Sequence, residues 1–415
     1  MKDAATIQEP ARALPVKCRY DVAVVGGGIA GVSAAVAAAR AGASVCLIEK
    51  QVGLGGLATL GIVTVWLPIC DGRGRQVIGG IGEELLRLSV RDLKAPNAAA
   101  GFKGIPACWE EGGDEAERRK TRFLTCFNPG WYTIALEEWV LSNGVSLMYD
   151  TRLCDVRRRR GKITHLFLEN KSGRFAIEVG AVVDASGDAD VCHFAGEETE
   201  TSDANVAASW FYYLKDGVAC LSTTSQAFDP KLDPQRLKSQ HYDGTNGDDV
   251  TQQVIESHRL VMRDSATYAK RNPDSVVEPF YIPSIPCFRA TRRLVGEQSM
   301  TESGMYQWFD DTVGLTGDWR RSGPVFAITM RMLRGVANCN LLAAGRCFSM
   351  DKTIWDGARC IPTCAITGEA AGLAAALAVK TKRGDVRKLP VRTVQRLMRA
   401  NGNLISEKLV KECVL

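Results

Sequence analysis

The chain runs to 415 residues, 46% of them hydrophobic, with a formal net charge of +5. This is enough apolar material for two intimately joined domains over a large core. The charge is too small and too scattered to point to nucleic acid, and no apolar run reaches membrane-spanning length, Ala-rich stretches such as 372–379 being too short.

Residues 1–17, MKDAATIQEPARALPVK, lack the apolar core of a signal peptide and read as a short disordered leader. The first strong signal is DVAVVGGGIAGVSAAVAAARAGASVCLIEK, residues 21–50. Residues 21–25 form a buried strand, 29–41 a helix that Gly42 stops, and 43–48 a second strand that ends at Glu49. Gly26, Gly28 and Gly31 fit G-x-G-x-x-G between strand and helix. One glycine permits the tight turn, one lets the backbone approach a pyrophosphate, and one lets helix and strand pack closely. The helix N-terminus offers free N–H groups and the positive end of its dipole to the phosphates. Glu49 lies about 20 residues past the turn, where an acid accepts from both hydroxyls of an adenosine ribose. An acid there, rather than an arginine, argues against a 2′-phosphate. A second glycine pair, Gly55 and Gly56, follows closely and would run along an extended cofactor.

Residues 113–120 read as an exposed loop, and 126–145 as a break at Pro129 and Gly130 followed by a helix. Residues 145–156 and 162–169 read as strands, joined by a solvated tip at the arginine run 157–160. In VVDASGDADV, residues 182–191, an apolar strand leads into Ser-Gly-Asp. Residues 204–216 and 324–332 read as strands, and 250–271 as a charged helix. Residues 340–379 read as a strand, a Gly-Arg turn, a loop and a small-residue helix, with Pro362 in its first turn. An amphipathic helix, 390–401, comes last, its apolar face suited to packing.

The fourteen cysteines are spread singly, with no C-x-x-C and no closely spaced cluster. They are expected to be reduced, mostly buried thiols of a cytoplasmic protein, and Cys360 and Cys364 are not expected to pair. The four histidines show no metal-ligand spacing, so no metal site is expected.

In this order, DVAVVGGGIAGVSAA, LGGLAT, VVDASGDAD, RATRRLVGE and NLLAAGR…WDGARCIPTCAITGEAAG resemble the motifs of the FAD-dependent oxidoreductase family. That family lies within the glutathione-reductase-like flavoprotein superfamily. It is related to fumarate reductase flavoproteins and to the flavin-binding part of heterodisulfide reductase. The resemblance spans about residue 20 to about residue 403 and finds no specific motif in 202–279. It implies an α/β fold, a Rossmann-like FAD/NAD(P)-binding three-layer domain with an inserted mixed β-sheet substrate domain. The FAD domain would be discontinuous, 17–72, 147–196 and 340–378; residues 73–146 and 197–339 would form the substrate or cap region, and 379–415 a C-terminal helical tail.

The resemblance also implies FAD contacts. Gly26, Gly28, Ile29, Ala30 and Gly31 would hold the pyrophosphate, and Glu49 the ribose with Lys50 beside it. Gly55, Gly56, Leu57, Ala58 and Thr59 would pass the ribityl chain and reach the ring. Leu153 would offer backbone groups to adenine, and Ser186, Gly187 and Asp188 would close that end. Gly345 and Arg346 would meet the ribityl and pyrophosphate region. Thr363, Cys364, Ala365 and Ile366 would contact the pyrimidine edge, where a helix N-terminus stabilises the reduced anion. LGGLAT has no histidine, so FAD is expected to be non-covalent. The dithiol pair of disulfide reductases and the iron–sulfur cysteines of the heterodisulfide relative are absent from the sequence, as is a second G-x-G-x-x-G in a strand–helix context.

A flavin oxidoreductase needs a cation or donor for the substrate oxygen and an acid/base for one proton. On an extended strand through RATRRLVGE, Arg289 and Arg293 share a face, as suits a carboxylate or carbonyl. An ion-pair network is the competing reading. The loop CFSMDKTIWDGARC could overhang the ring, with Lys352 or Asp356 as acid/base, Trp355 as a wall, and Arg359 nearby. Salt bridges that fix the loop are the alternative there. The expected function is a dehydrogenase or reductase that moves a hydride between FAD and a small polar, carboxylate- or hydroxyl-bearing metabolite. A separate electron carrier or second substrate would complete turnover. Two readings stay open: a flavin-binding electron-transfer subunit of a larger redox complex, and an NAD(P)H-dependent flavin reductase. A homodimer is compatible with the sequence; membrane and nucleic-acid partners are not expected.

Overall fold

The structure, a computed structural model, describes residues 6–224 and 240–411. Its centre is a seven-stranded sheet. The strands are β1 (Val16–Val25), β2 (Val45–Ile48), β3 (Ser146–Met148), β4 (Arg152–Arg158), β5 (Ile163–Asn170), β6 (Gly173–Asp184) and β7 (Leu341–Ala343). β3, β2, β1, β6 and β7 are parallel neighbours in that order. The long β6 serves two partners along one edge. Residues 173–178 take the antiparallel hairpin strand β5, and 182–184 take β7. β4 then pairs with β5.

Strand alternation sends side chains to two cores. Val22, Val24, Val45 and Leu47 face the helices, whereas Ala23, Val25, Cys46 and Ile48 join Leu153, Ile163 and Leu166 under the β4–β6 meander. β1 starts earlier than residue 21, because residues 16–20 pair with 176–179 of β6.

Two helices cover the first face, α1 (Ile29–Arg40) and α2 (Ile361–Lys382). They touch backbone to backbone. A Cβ at Gly368 would lie 2.2 Å from the Ala30 carbonyl oxygen, and one at Gly372 2.0 Å from that of Ala34. Stretch 372–379 is therefore not a short helix but part of a 22-residue one. By length and composition α2 could cross a membrane, yet 83% of its apolar window is buried inside the fold.

The layer between β6 and β7 is built from short antiparallel ladders and the helix Gly247–Arg271, which Asn246 caps through two backbone N–H groups. The strand expected over 204–216 is interrupted. Only 205–206 and 210–215 pair, while the Ala208 and Ser209 N–H groups go to the Ser257 and Thr224 hydroxyls instead. Stretch 324–332 is a strand only over Val325–Thr329 and then turns into a helical turn at Met330. The expected loop CFSMDKTIWDGARC, residues 347–360, contains the helix Lys352–Ala358. Its cap is Asp351, which accepts from the Thr353 and Ile354 N–H groups. The expected loop at 113–120 likewise contains a helical turn, Glu115–Arg118, capped by Asp114.

Candidate active site

A trough opens at the carboxyl ends of β1, β2, β6 and β7, where open α/β sheets bind their ligands. Its floor is the glycine turn. Gly26 has φ +102°, and a Cβ there would lie 2.4 Å from the Ala185 carbonyl oxygen. Gly31 sits beneath the turn, where a Cβ would be 1.7 Å from the Gly26 oxygen. Gly28 differs: a Cβ would meet nothing within 4 Å and would project into open space. The second glycine loop lies against the first, with Gly55 donating its N–H to the Gly27 carbonyl at 2.8 Å. Gly56, Leu57 and Ala58 extend the floor, and Thr59 backs it by donating its hydroxyl to the Leu54 carbonyl at 2.5 Å. The first turn of α1, Ile29 and Ala30 included, carries no side-chain cap and faces the trough.

Glu49 is buried at one end. It accepts the Gly27 N–H at 2.6 Å on one carboxylate oxygen and the Gln51 N–H at 2.7 Å on the other. Each oxygen keeps a further lone pair for a ribose hydroxyl. Lys50 and Gln51 line the same end, with Ser186, Gly187 and Asp188 opposite. Asp188 accepts the Thr291 hydroxyl at 2.6 Å and pairs with Arg346 at 2.5 Å. Burial pushes the Asp188 carboxyl up, but the Arg346 and Lys50 charges and the Thr291 hydroxyl outweigh it and hold it below its ordinary value. Arg346 also donates to the Gly187 and Phe288 carbonyls at 2.7 and 2.6 Å. Its guanidinium clasps the rim of the trough to the inserted layer.

The far end is the N-terminus of α2. Arg359, Ile361 and Cys364 line the trough, with Gly345 beside them. Thr363, Ala365 and Ile366 do not. Thr363 bonds to the Thr316 hydroxyl at 2.7 Å, and Ala365 and Ile366 are buried in the helix-side core. A helix turns about 100° per residue, so four consecutive side chains cannot share one wall. Leu153 lies in the core beneath the meander and is not among the trough's lining residues. Cys360 and Cys364 are free thiols, and burial pushes Cys364 up to about 12, so its thiol stays protonated.

The expected same-face pair of guanidiniums is not formed. Only Arg292–Leu294 is a strand, so alternation does not extend back to Arg289. Arg293 pairs with Glu200 at 2.5 Å and lies over the Trp355 ring. Arg289 is buried, and its Nη1 has no hydrogen-bond partner among the described residues. Its charge neighbour is Arg359. Burial, opposed by Asp356, lowers the Arg359 guanidinium, and the Arg289 charge lowers it further. Asp356 is ion-paired to Arg359. Lys352 is exposed on the helix Lys352–Ala358, away from the trough lining. Trp355 supports the wall from behind, donating its indole N–H to the Arg346 carbonyl at 2.8 Å.

Sequence reasoning missed the wall that the inserted layer contributes: Gly244, Val250, Ile285, Pro286 and Phe288. They belong to no motif and arrive through long-range packing. Ile361 was findable, since it lies one helical turn before Cys364.

A glycine-turned trough at the strand ends, with a buried ribose-side acid and two helix N-termini, defines a dinucleotide-binding α/β protein. The family profile described as FAD dependent oxidoreductase matches residues 21–211 and 212–398, and the chain belongs to that family. It is an enzyme with FAD as cofactor, and the open face at Gly28, the Glu49 carboxylate and the uncapped α1 terminus fit that group. Among solved structures, the chain is similar to a geranylgeranyl bacteriochlorophyll reductase-like protein from Thermoplasma acidophilum, at 13% identity and TM-score 0.46 over 94% of each chain. It is also similar to the aromatic hydroxylase CabE of angucycline biosynthesis, at 13% identity and TM-score 0.45 over 94% of this chain and 70% of that one. A triple mutant of the flavin-dependent brominase Bmp2 matches at 14% identity and TM-score 0.45 over 92% and 84%. No curated protein matches the chain.

Proposed function

We propose that the protein is an FAD-dependent dehydrogenase or reductase that exchanges a hydride with a small polar metabolite. A separate carrier or a second substrate completes the cycle. The observation that carries this reading is the convergence of Arg359 and the N-terminus of α2 on one end of the trough. Positive charge and the positive end of the helix dipole there favour the extra negative charge that builds up on reduction. When bound, FAD supplies the ring that accepts or gives the hydride.

The chain's own residues do the rest. Glu49 orients the ribose, the Gly26–Gly28 turn admits the pyrophosphate, and Asp356 holds Arg359 in place. Val250, Ile285, Pro286 and Phe288 close an apolar wall over the site and exclude water. In this reading residues 17–72, 147–196 and 340–378 bind the cofactor, and the inserted segments bind the substrate. The test is the absorption spectrum of the purified protein before and after denaturation, followed by anaerobic NADH, NADPH and a panel of hydroxy and unsaturated acids. Non-covalent flavin that an organic substrate bleaches supports the proposal. Bleaching by NADH or NADPH alone moves the flavin-reductase reading forward, and flavin that no small molecule reduces favours the electron-transfer role within a larger complex.

A further inference from the structure

The arginine run 157–160 reads from the sequence as a solvated hairpin tip, and it does not line the trough. The fold gives that tip a second half. Cys339 donates its N–H to the Gly161 carbonyl at 2.8 Å, Val386 donates to the Cys339 carbonyl at 2.8 Å, and the Lys162 ammonium donates to the Arg383 carbonyl at 2.6 Å. The run and Lys162 therefore share one surface with Lys382, Arg383, Arg387 and Lys388 at the carboxyl end of α2. These nine cationic side chains stand against four carboxylates, Asp155, Glu197, Glu198 and Asp385, a net of +5 that equals the net charge of the whole chain. Glu197 is buried and held by the Val336, Ala337 and Asn338 N–H groups, and Asp385 is paired with Arg387 and Lys388 at 3.5 and 3.3 Å. Arg159, Arg160, Lys382 and Arg383 are exposed, and among the described residues they have no carboxylate partner.

Two of these cations stand where the fold would favour another residue. Arg159 and Lys162 exchange both backbone hydrogen bonds, at 2.8 and 3.2 Å, and the two residues between them, Arg160 and Gly161, have φ +52° and +67°. In such a tight hairpin turn asparagine–glycine is the favoured pair. Arg383 ends α2 at φ +55° and ψ +32°, a left-handed position that favours glycine or asparagine. An arginine at either place costs stability relative to asparagine, and crowding of like charge adds to the cost. Beside the hairpin turn stand Val336, 56% exposed, and Ala337, whose carbonyl oxygen would lie 3.3 Å from a Cβ on Gly161.

We infer that this surface docks on an anionic membrane, where clustered lipid headgroups take the arginines and Val336 enters the headgroup layer. Clustered cations around an exposed apolar side chain are the composition that binds such an interface. The docking is peripheral and needs no membrane-spanning segment. α2 rises about 1.5 Å per residue, so its 22 residues set the patch roughly 30 Å from the helix end that lines the trough. Docking there leaves the trough uncovered.

The test uses the full FAD-loaded protein and vesicles of phosphatidylcholine, alone or with about one-third phosphatidylserine, read by cosedimentation. The wild type is expected to bind the anionic vesicles at about 0.05 M salt, to leave them at about 0.5 M, and not to bind the neutral ones. The double variant Arg160→Asn/Arg383→Asn is expected to bind at least about tenfold more weakly and to melt at or above the wild-type temperature, whereas guanidiniums with a structural role would make it melt lower. Val336→Ser is expected to weaken binding about threefold. Lys94→Asn/Lys103→Asn removes the same charge from exposed positions outside the patch and is expected to bind like wild type. No binding to anionic vesicles, an equal loss in the two double variants, a lowered melting temperature for Arg160→Asn/Arg383→Asn, or tighter binding to duplex DNA than to the vesicles overturns the inference.

Discussion

At the scale of single residues, the glycines of the first turn separate folding from binding. Gly31 is required by the fold, because a Cβ there would lie 1.7 Å from the Gly26 carbonyl oxygen. Gly31→Ala is expected to cost at least about 2 kcal/mol through overpacking, read from chemical denaturation. Gly28 is required by the ligand. Its φ of −68° suits any L-residue, and nothing lies within 4 Å of the added atom. Gly28→Val is therefore expected to melt close to wild type in the FAD-free state and to lose most bound flavin. A loss of stability equal to that of Gly31→Ala would show that Gly28 serves the fold alone. The spacing identifies both glycines but does not tell these two roles apart. Only the distance from each Cα to its neighbours does.

At the scale of elements, α2 carries a group that no motif announces. Glu369 is fully buried in mid-helix. It accepts the Ile81 N–H at 2.9 Å, capping the helix Ile81–Val90 from outside, and the Asn403 amide at 2.8 Å, tying down the C-terminal segment. Burial raises its carboxyl to about 7, with Glu84 adding to the rise and the Ile81, Asn403 and Asn401 hydrogen bonds opposing it. The folded-state value lies above the unfolded one, so the unfolded chain loses its proton first. Stability is full below about pH 4.5, falls as pH rises to about 7, and levels off above, by on the order of 3 kcal/mol. The Asn403 carbonyl oxygen is buried without a partner among the described residues. Turned over, that amide can accept the proton of neutral Glu369. Glu369→Gln supplies the same donor at every pH, so its stability advantage over wild type is expected to grow between pH 5 and pH 8. Melting curves at the two pH values check this, and an advantage that shrinks with pH would contradict it.

At the scale of the whole molecule, Arg346 joins the sheet to the layer inserted between β6 and β7. It spans Gly187 and Asp188 on one side and the Phe288 carbonyl on the other. The Arg346 and Asp188 side chains are 17% and 19% exposed, so solvent screens the pair in part. Arg346→Met is expected to destabilise the FAD-free protein by about 2 kcal/mol, less than the loss of a fully buried pair. It should also speed FAD release, because the Phe288 wall is no longer held to the rim. Stopped-flow measurement of FAD loss to an apoflavoprotein trap reads the second effect. An unchanged release rate would mean that the clasp does not hold the wall.

The half of the site made from β1, α1 and the loop to Gly56 was legible in the sequence because it is local. Strand, turn, helix and acid follow within thirty residues, and each position has one physical job. Ser186, Gly187, Asp188, Gly345 and Arg346 were named through the family resemblance, and each follows a strand of the parallel sheet at the trough. What tertiary structure alone decided is the opposite wall and the charges. Val250, in the first turn of the helix Gly247–Arg271, and Phe288, in the irregular stretch before Arg292–Leu294, reach the trough through long-range packing that no single segment encodes. Arg293 turns to Glu200 and does not share a face with Arg289, because the strand that would have aligned the arginines is only three residues long. Side-chain period predicts neighbours only within an element, and burial then selects the partners between elements.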